Sequence, residues 1–407
     1  MSKSFGLFLI LSSIVVVLTG SIIASRVFVA FLFGLCIVMG RKESSLLNPY
    51  YLFSVTPLSL LLYVNVSGHF MMELTSKTWG LAIINIVAFI LAVYFTKDYG
   101  RLSGCTGPSD KKLVAHTIVF AAIGLFSEVF EYFMERPFFL ASVLKICTVP
   151  AIICAFKSKN RFLIVVVLSL FIGSSVGFLS KSAVLTYILA VLIGIEKYYI
   201  RTARERKLIA VLSAIGVIVM VFAFSFANKD RGAQAASEAV DYYEEYGDVN
   251  WDSPDALFMP YMYLTTPWAN LQYLTETQDD RTNGLWLIRP LLGYLQLDGL
   301  FKESYRMRAF STFNTLTFIS CNFKDFGYWF SIITSILLGI FVKKIYSRYK
   351  ISKSALDVAC YVYVGIAVLE MFFSNEFLTQ SFPFTIVIVM AIYKFFFFRN
   401  SKPQLEE

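Results

Sequence analysis

The stretch WGLAIINIVAFILAVYF, residues 79–95, is almost continuously apolar and contains no charged side chain. An apolar run of about 17 to 25 residues spans a bilayer as an α-helix, which satisfies its backbone hydrogen bonds internally. Similar runs recur along the chain. The hydrophobic fraction of 57% and the mean hydropathy of +0.65 lie well above those of soluble proteins. The sequence therefore predicts an all-α polytopic membrane protein.

The apolar runs predict about twelve transmembrane helices. The runs lie at residues 5–23, 27–39, 49–66, 79–95, 113–133, 138–156, 162–176, 183–195, 208–226, 326–342, 355–373 and 377–398. In this scheme residues 1–227 hold helices 1–9, residues 228–325 form one large external loop that contains short helices, and residues 326–407 hold helices 10–12 and a cytoplasmic tail.

Basic residues predict the orientation of these helices. With the N-terminus inside, the clusters that contain Arg41, Arg101, Arg161, Arg204 and Arg348 all fall on the cytoplasmic side, whereas the opposite loops carry isolated charges. This distribution follows the positive-inside rule. It places both termini in the cytoplasm and the long loop outside. It also assigns the net charge of +8 to topology rather than to nucleic-acid binding.

The long loop is the most unusual part of the chain. It extends over about a hundred residues, and loops of that length in a compact protein are usually functional. Its first part, 229–255, is acidic and polar. Two apolar pieces, 256–274 and 285–300, are interrupted by prolines or charges and are too short to span cleanly. They would lie in the interface or re-enter the helical bundle.

Four cations in the last part of the loop form the first candidate site: Arg289, Lys302, Arg306 and Arg308. Arginine binds phosphate oxygens through two parallel hydrogen bonds, and Lys302 and Arg306 share a face if that segment is helical. A lipid-linked diphosphate is the expected ligand at this depth. The alternatives are contact with lipid headgroups, or pairing with Asp298, Glu303 and the acidic part of the loop.

The carboxylates Glu128, Glu131 and Glu135 form the second candidate, because their spacing places them on one helix face. Lys145 in the next predicted helix lies at a similar depth to Glu128. A buried pair between these two residues is the favoured interpretation, and a base beside a water-filled cavity is the alternative.

Aromatic residues of the loop form the third candidate, namely Trp268, Tyr273, Trp286 and Tyr305. Such rings stack on sugars, although most aromatic residues of a membrane protein serve in packing and in the interfacial belt. The two histidines have no partners at metal-ligand spacing, so no metal site is predicted. No nucleotide-binding or dinucleotide-binding motif is present, so no cofactor is expected.

Four stretches resemble a family of bacterial oligosaccharide repeat-unit polymerases, the Wzy class that makes O-antigen and capsule. They are LNPYYLF at 47–53, YLTTPWANL at 263–271, NTLTF at 314–318 and KDFGY at 324–328. The arrangement of many helices with one dominant external loop late in the chain is also similar. The arginine-and-glycine loop repeats of some members are not evident in this sequence.

The resemblance implies a metal-independent glycosyltransferase of the GT-C type in the bacterial inner membrane. The donor would be a glycan on undecaprenyl diphosphate, and the acceptor would be one lipid-linked repeat unit. Arg289, Lys302, Arg306 and Arg308 would stabilise the departing diphosphate. Glu303 or Asp298, with Glu128 in reserve, would take the hydroxyl proton. Membrane lipids and a separate chain-length regulator are the expected partners.

Three rival interpretations remain. An O-antigen ligase uses the same donor with a lipid A-core acceptor, and the sequence separates it poorly from a polymerase. A lipid-linked oligosaccharide flippase would distribute charges through its helices and keep its loops short, whereas this chain does the reverse. A non-catalytic partner in envelope assembly would use the cationic segment as a surface anchor.

Overall fold

The computed structural model describes residues 3–66, 74–98, 110–133, 144–177, 181–200, 202, 204–205, 207, 211, 258–277, 281–286, 288, 315–352 and 354–373. A few residues inside its helices, including Glu128, are described by their backbone alone. Within the described residues the backbone forms helices, turns and short connections, and no strand. The prediction of an all-helical chain is therefore confirmed for this part of the protein.

The chain divides into two compact units. Unit 1 consists of Met1–Lys97, Lys207–Lys343 and Ala367–Glu376, and unit 2 consists of Asp98–Arg206, Lys344–Ile366 and Phe377–Glu407.

Unit 1 contains helices from both ends of the chain. They are α1 (Lys3–Thr19), α2 (Ile22–Lys42), α3 (Pro49–Phe53), α4 (Val55–Val66), α5 (Ser76–Phe95), α10 (Phe258–Thr277), the first part of α11 (Phe318–Ile351) and the 3-10 turn Glu370–Phe372. The predicted helix 49–66 is thus two consecutive helices, and α11 begins eight residues before the predicted start at Phe326.

Short polar side chains fix where these helices begin. The Asn48 side chain accepts hydrogen bonds from the amides of Tyr50 and Tyr51, and Pro49 occupies the first helical position of α3. Thr75 caps α5 in the same way. An N-cap of this kind satisfies amides that lack a partner in the first turn and stabilises a helix by about 1 kcal/mol.

Helices α5 and α11 approach closely in unit 1. A Cβ added at Gly339 would lie 2.8 Å from the Phe89 carbonyl oxygen, so only glycine fits there. Further along, the Asn85 side-chain amide donates to the Ser331 hydroxyl at 3.2 Å and accepts from the Ser335 hydroxyl at 2.6 Å. Because all three side chains are buried, these bonds remove polar groups from an apolar interior and fix the register of the two helices.

Unit 2 is built mainly from the middle of the chain. Its helices are α6 (Asp110–Phe133), α7 (Thr148–Ser158) after the 3-10 turn Lys145–Cys147, α8 (Arg161–Gly177), α9 (Lys181–Tyr198), the end of α11 and most of α12 (Ala355–Leu369). A Cβ at Gly124 of α6 would lie 3.2 Å from the amide nitrogen of Thr148, which shows how closely α6 and α7 pack.

Lys197 caps the end of α11 within unit 2. Its Nζ donates to the carbonyl of Tyr349 at 2.6 Å and to that of Lys350 at 3.2 Å, and it lies 4.8 Å from the centre of the Tyr349 ring. Burial lowers the pKa of Lys197, and the carboxylates of Glu196 and Asp357 oppose this shift. The cation thus satisfies carbonyls that the helix end leaves without intrahelical partners.

Four described helices are long and apolar enough to cross a membrane, judged by length and composition. They are Ile22–Lys42, Ser76–Phe95, Phe318–Ile351 and Ala355–Phe372. Shorter apolar helices lie at Lys3–Thr19, Lys112–Ser127 and Arg161–Phe171. These helices are compatible with an α-helical membrane protein, whereas the count of twelve spans stays a prediction.

Candidate functional site

A kink in α11 organises the candidate site in unit 1. Gly327 has φ 81° and ψ −160°, a conformation that is essentially restricted to glycine, and it divides the helix after its first turns. The break turns residues 323–326 into the end of a short helix, where carbonyl groups need partners from outside the helix.

A distant segment supplies partners for three of these carbonyls. The Arg281 Nη1 donates to the Phe323 carbonyl at 2.6 Å. The Thr282 amide donates to the Lys324 carbonyl, and the Asn283 amide donates to that of Asp325, both at 3.2 Å. We call residues 281–286 together with 323–327 the kink clamp.

The Asp325 side chain also joins the two segments of the kink clamp. It is only 1% exposed, and its Oδ1 accepts from the Thr282 hydroxyl at 2.6 Å and from the Trp286 amide at 3.0 Å. Hydrogen bonds to a carboxylate are about twice as strong as those between neutral groups. Asp325 therefore holds Thr282 and Trp286 against α11.

The turn inside the kink clamp requires unusual backbone angles. Asn283 has φ 50° and Gly284 has φ 94°, and asparagine and glycine are the residues that adopt this region most readily. A Cβ at Gly284 would lie 3.0 Å from the edge of the Phe326 ring. The turn is thus held against the first part of α11.

The Arg281 guanidinium lies over aromatic and backbone surface of α11. Its Cζ is 4.6 Å from the centre of the Phe323 ring and would be 3.4 Å from a Cβ at Gly327. The Tyr328 ring meets the Phe323 ring edge-on at 5.1 Å. The residue as a whole is exposed, so the charge is oriented without being buried.

Helix α10 connects the same region to α4. The Trp268 indole Nε1 donates to the Ser59 hydroxyl at 2.9 Å, and the Asn270 side chain donates to the Thr315 carbonyl at 2.7 Å. The Leu316 amide in turn donates to the Phe373 carbonyl at 3.1 Å. These bonds join α4, α10, the segment before α11 and the turn after α12.

The C-terminal end of α10 is fastened to the start of α5. The Thr75 hydroxyl donates to the Glu276 carboxylate at 2.7 Å, and the Thr75 amide donates to the Gln272 side-chain oxygen at 3.0 Å. The Lys77 Nζ donates to the Thr275 carbonyl at 2.6 Å. Glu276 therefore presents an exposed carboxylate close to the segment that leads to Arg281.

Most of the predicted site residues lie outside the described residues. These are Arg289, Asp298, Lys302, Glu303, Tyr305, Arg306 and Arg308. Glu128 belongs to α6, but its side chain is not among those described. Their assigned roles stay predictions.

The three described aromatic candidates differ in exposure. Trp268 is 0% exposed and donates its N–H to Ser59, so its placement argues for packing and against stacking on a sugar. Tyr273 and Trp286 are half-buried. Trp286 belongs to the kink clamp, where its ring position depends on the bond from its amide to Asp325.

The stretches that carry the family resemblance meet in this region. Residues 263–271 lie in α10, 314–318 lead into α11, and 324–328 surround the kink. The bond from Asn270 to Thr315 joins the first two directly. Residues 47–53 form the capped start of α3, which precedes the α4 helix that Trp268 contacts.

Sequence reasoning missed Asp325, Arg281 and Thr282 as site residues. Asp325 stood inside the KDFGY stretch, so a carboxylate beside a glycine at the start of an apolar run was the available signal. Nothing in the sequence pairs Asp325 with Thr282, which lies 43 residues earlier. Within the described residues no group of three His, Cys, Asp or Glu side chains is arranged to hold a metal ion.

Comparison with protein-family models, with curated proteins and with solved structures found no match.

Proposed function

We propose that the protein joins lipid-linked oligosaccharide repeat units into a polysaccharide at the external face of a bacterial inner membrane. The observation that supports this proposal best is the kink clamp with its connections to α10. Stretches that resemble the Wzy class and are far apart in sequence share one hydrogen-bonded core there.

The proposed reaction needs no cofactor. A hydroxyl oxygen of the acceptor unit attacks the anomeric carbon of the donor glycan and forms the new glycosidic bond. The bond from that carbon to the undecaprenyl diphosphate breaks, and the diphosphate leaves with the electron pair. A base takes the hydroxyl proton, and cations stabilise the departing negative charge.

Residues of the long loop are assigned to these roles. Arg289, Lys302, Arg306 and Arg308 bind the diphosphate, and Glu303 or Asp298 is the base, with Glu128 in reserve. Trp286 comes three residues before Arg289 in the sequence. Its half-buried ring is the candidate for contact with a sugar among the described residues. Both termini would be cytoplasmic, and a chain-length regulator would act as a separate partner.

The strongest alternatives are an O-antigen ligase and a lipid-linked oligosaccharide flippase. A ligase would use the same donor site with a different acceptor. For a flippase we would expect charged side chains facing a central cavity along the helices. Where α5 and α11 pack together in unit 1, the buried side chains Asn85, Ser331 and Ser335 are instead neutral and bonded to one another, whereas the buried charges Lys324, Asp325 and Lys343 lie elsewhere along α11.

A deletion strain tests the proposal by gel electrophoresis of its surface glycans. A polymerase defect leaves a single repeat unit attached and removes the ladder of longer chains. Loss of every attached repeat unit would indicate a ligase or flippase, and an unchanged ladder would refute all three.

Point variants test the site within the same strain. Arg289→Ala and Arg306→Ala are each expected to abolish long polymer while the protein stays in the membrane at a normal level, as measured by immunoblot. Normal long chains from both variants would contradict the diphosphate assignment.

A further inference from the structure

We propose that Arg281 is an oxyanion-binding residue of unit 1 that takes a phosphate group of a lipid-linked diphosphate. The oxyanion chemistry follows from the guanidinium itself. The choice of a lipid diphosphate rests on the proposed function.

Among the described residues, Arg281 uses little of its hydrogen-bonding capacity. One of its five N–H groups donates to the Phe323 carbonyl. A structural role as a carbonyl cap is complete with that single bond. The remaining N–H groups form a planar fork of the geometry that phosphate and carboxylate oxygens match.

The charges around the Arg281 guanidinium also bear on anion binding. Among the described residues, no carboxylate lies within 4.0 Å of Arg281. The exposed carboxylate of Glu276 accepts a hydrogen bond from Thr75 instead. Within the residues that the structure describes, Arg281 is therefore a positive charge without an ion-pair partner.

The Arg281 side chain is also preorganised by its neighbours. The guanidinium lies close to both the Phe323 ring and Gly327, and the next residue, Thr282, donates its amide to the Lys324 carbonyl and its hydroxyl to the Asp325 carboxylate. Such a side chain loses less conformational entropy on binding than a free surface arginine does. Stacking on the ring also favours arginine over lysine at this position.

The Tyr328 hydroxyl is a further hydrogen-bond donor near the kink clamp. Arg281 and Glu276 both act electrostatically on the Tyr328 phenol, whose ring packs against Phe323. A phenolic O–H is a neutral hydrogen-bond donor of the kind that a phosphate oxygen accepts from. Arg281 also lies eight residues before Arg289, so the two cations flank Trp286 in sequence.

Binding to the full-length protein in phosphatidylcholine nanodiscs tests this site without requiring polymer synthesis. The probe is radiolabelled farnesyl diphosphate, with farnesyl monophosphate and inorganic pyrophosphate as competitors. Arg281→Gln is expected to weaken farnesyl diphosphate binding at least tenfold. Arg281→Lys keeps the charge but loses the fork and the stacking, and should give an intermediate loss.

Arg41→Gln is the matched control, because Arg41 is also an exposed arginine of unit 1. It should leave the dissociation constant unchanged. The proposal is overturned if Arg281→Gln binds as the wild type does, or if both variants lose affinity equally. Thermal unfolding of each variant verifies folding, and Arg281→Lys supplies the comparison should the glutamine variant be unstable.

The competitors distinguish the source of the phosphate. If farnesyl diphosphate binds at least tenfold more tightly than pyrophosphate, the lipid-linked ligand is supported. If pyrophosphate competes equally well and its binding depends on Arg281, the oxyanion site stands and the lipid source is rejected. A normal glycan ladder in the deletion strain together with Arg281-dependent binding would refute the proposed function and keep the site.

Discussion

The carbonyl groups of α11 need outside partners at two places, the kink and the C-terminus. A different cation caps the helix at each of them. At the kink, in unit 1, Arg281 donates to Phe323 at 2.6 Å. At the C-terminus, in unit 2, Lys197 donates to Tyr349 at the same distance and also to Lys350. The bond lengths are alike, but the surroundings are not.

The surroundings separate a structural cation from a candidate for binding. Lys197 bonds two carbonyls, and burial lowers its pKa while the carboxylates of Glu196 and Asp357 oppose that shift. Arg281 bonds one carbonyl and remains exposed. A cap with spare donors and no nearby carboxylate in the described chain is the one suited to a ligand.

The largest expected effect comes from breaking the kink clamp at Asp325. Asp325→Ala leaves the Thr282 hydroxyl and the Trp286 amide without their carboxylate, which should lower the free energy of unfolding by about 3 kcal/mol. It should also abolish long polymer. Thermal unfolding in detergent and the glycan gel measure the two effects.

Asp325→Asn sharpens that test, because an amide oxygen still accepts from one donor. It should retain about half of the lost stability. Ser335→Ala serves as the control, since Ser335 is buried in the same helix outside the clamp. Normal polymer from Asp325→Ala would show that the clamp has no part in the activity.

Next in size is the kink itself. Gly327→Ala forces an L side chain into a conformation at φ 81° and brings its Cβ to 3.4 Å from the guanidinium carbon of Arg281. The strain should cost about 2 kcal/mol, again measured by thermal unfolding. Gly34→Ala is the matched control, because a Cβ at that helical glycine meets nothing within 4 Å. Equal stability of the two variants would show that the kink is not required.

The third prediction concerns the capping cation of unit 2. Lys197→Met removes the donors to two carbonyls of α11 and should lower stability by about 1.5 kcal/mol. Polymer made per molecule of protein should stay unchanged. Arg281→Gln should do the opposite, with a smaller loss of stability and a loss of polymer. Identical behaviour of the two variants would remove the distinction between the caps.

The smallest effect is expected at Trp268. Trp268→Phe keeps a buried aromatic ring but removes the N–H donated to Ser59 and part of the indole volume, which should cost at least about 1 kcal/mol. The length distribution of the polymer should not change, because a fully buried ring does not contact a sugar. A marked shift in that distribution would restore the sugar-stacking role.

Helix α10 shows where sequence reasoning reached its limit. Because Pro260 and Pro267 break the apolar piece 256–274, the sequence predicted an interrupted segment within a loop that contains short helices. The structure has one helix, Phe258–Thr277, with Pro267 inside it. Packing of Trp268 and bonding of Asn270 supply stabilisation that local propensity does not contain.

The helix caps, by contrast, were open to prediction. Asn48 followed by Pro49 is a common start of a helix, and α3 begins there. The apolar run at 79–95 lies within α5, which begins only a few residues earlier at Ser76. Signals of this kind are local, because the cap and the helix it starts are adjacent in the chain.

The sequence by itself determined that the described chain is helical and that it contains helices long and apolar enough to cross a membrane, because both properties follow from hydrophobicity along a continuous segment. Only the tertiary structure decided which polar residues act together. Asp325 and Thr282 are 43 residues apart, and Trp268 and Ser59 are 209 apart. A buried hydrogen bond between such partners depends on how the helices pack, which no local pattern encodes.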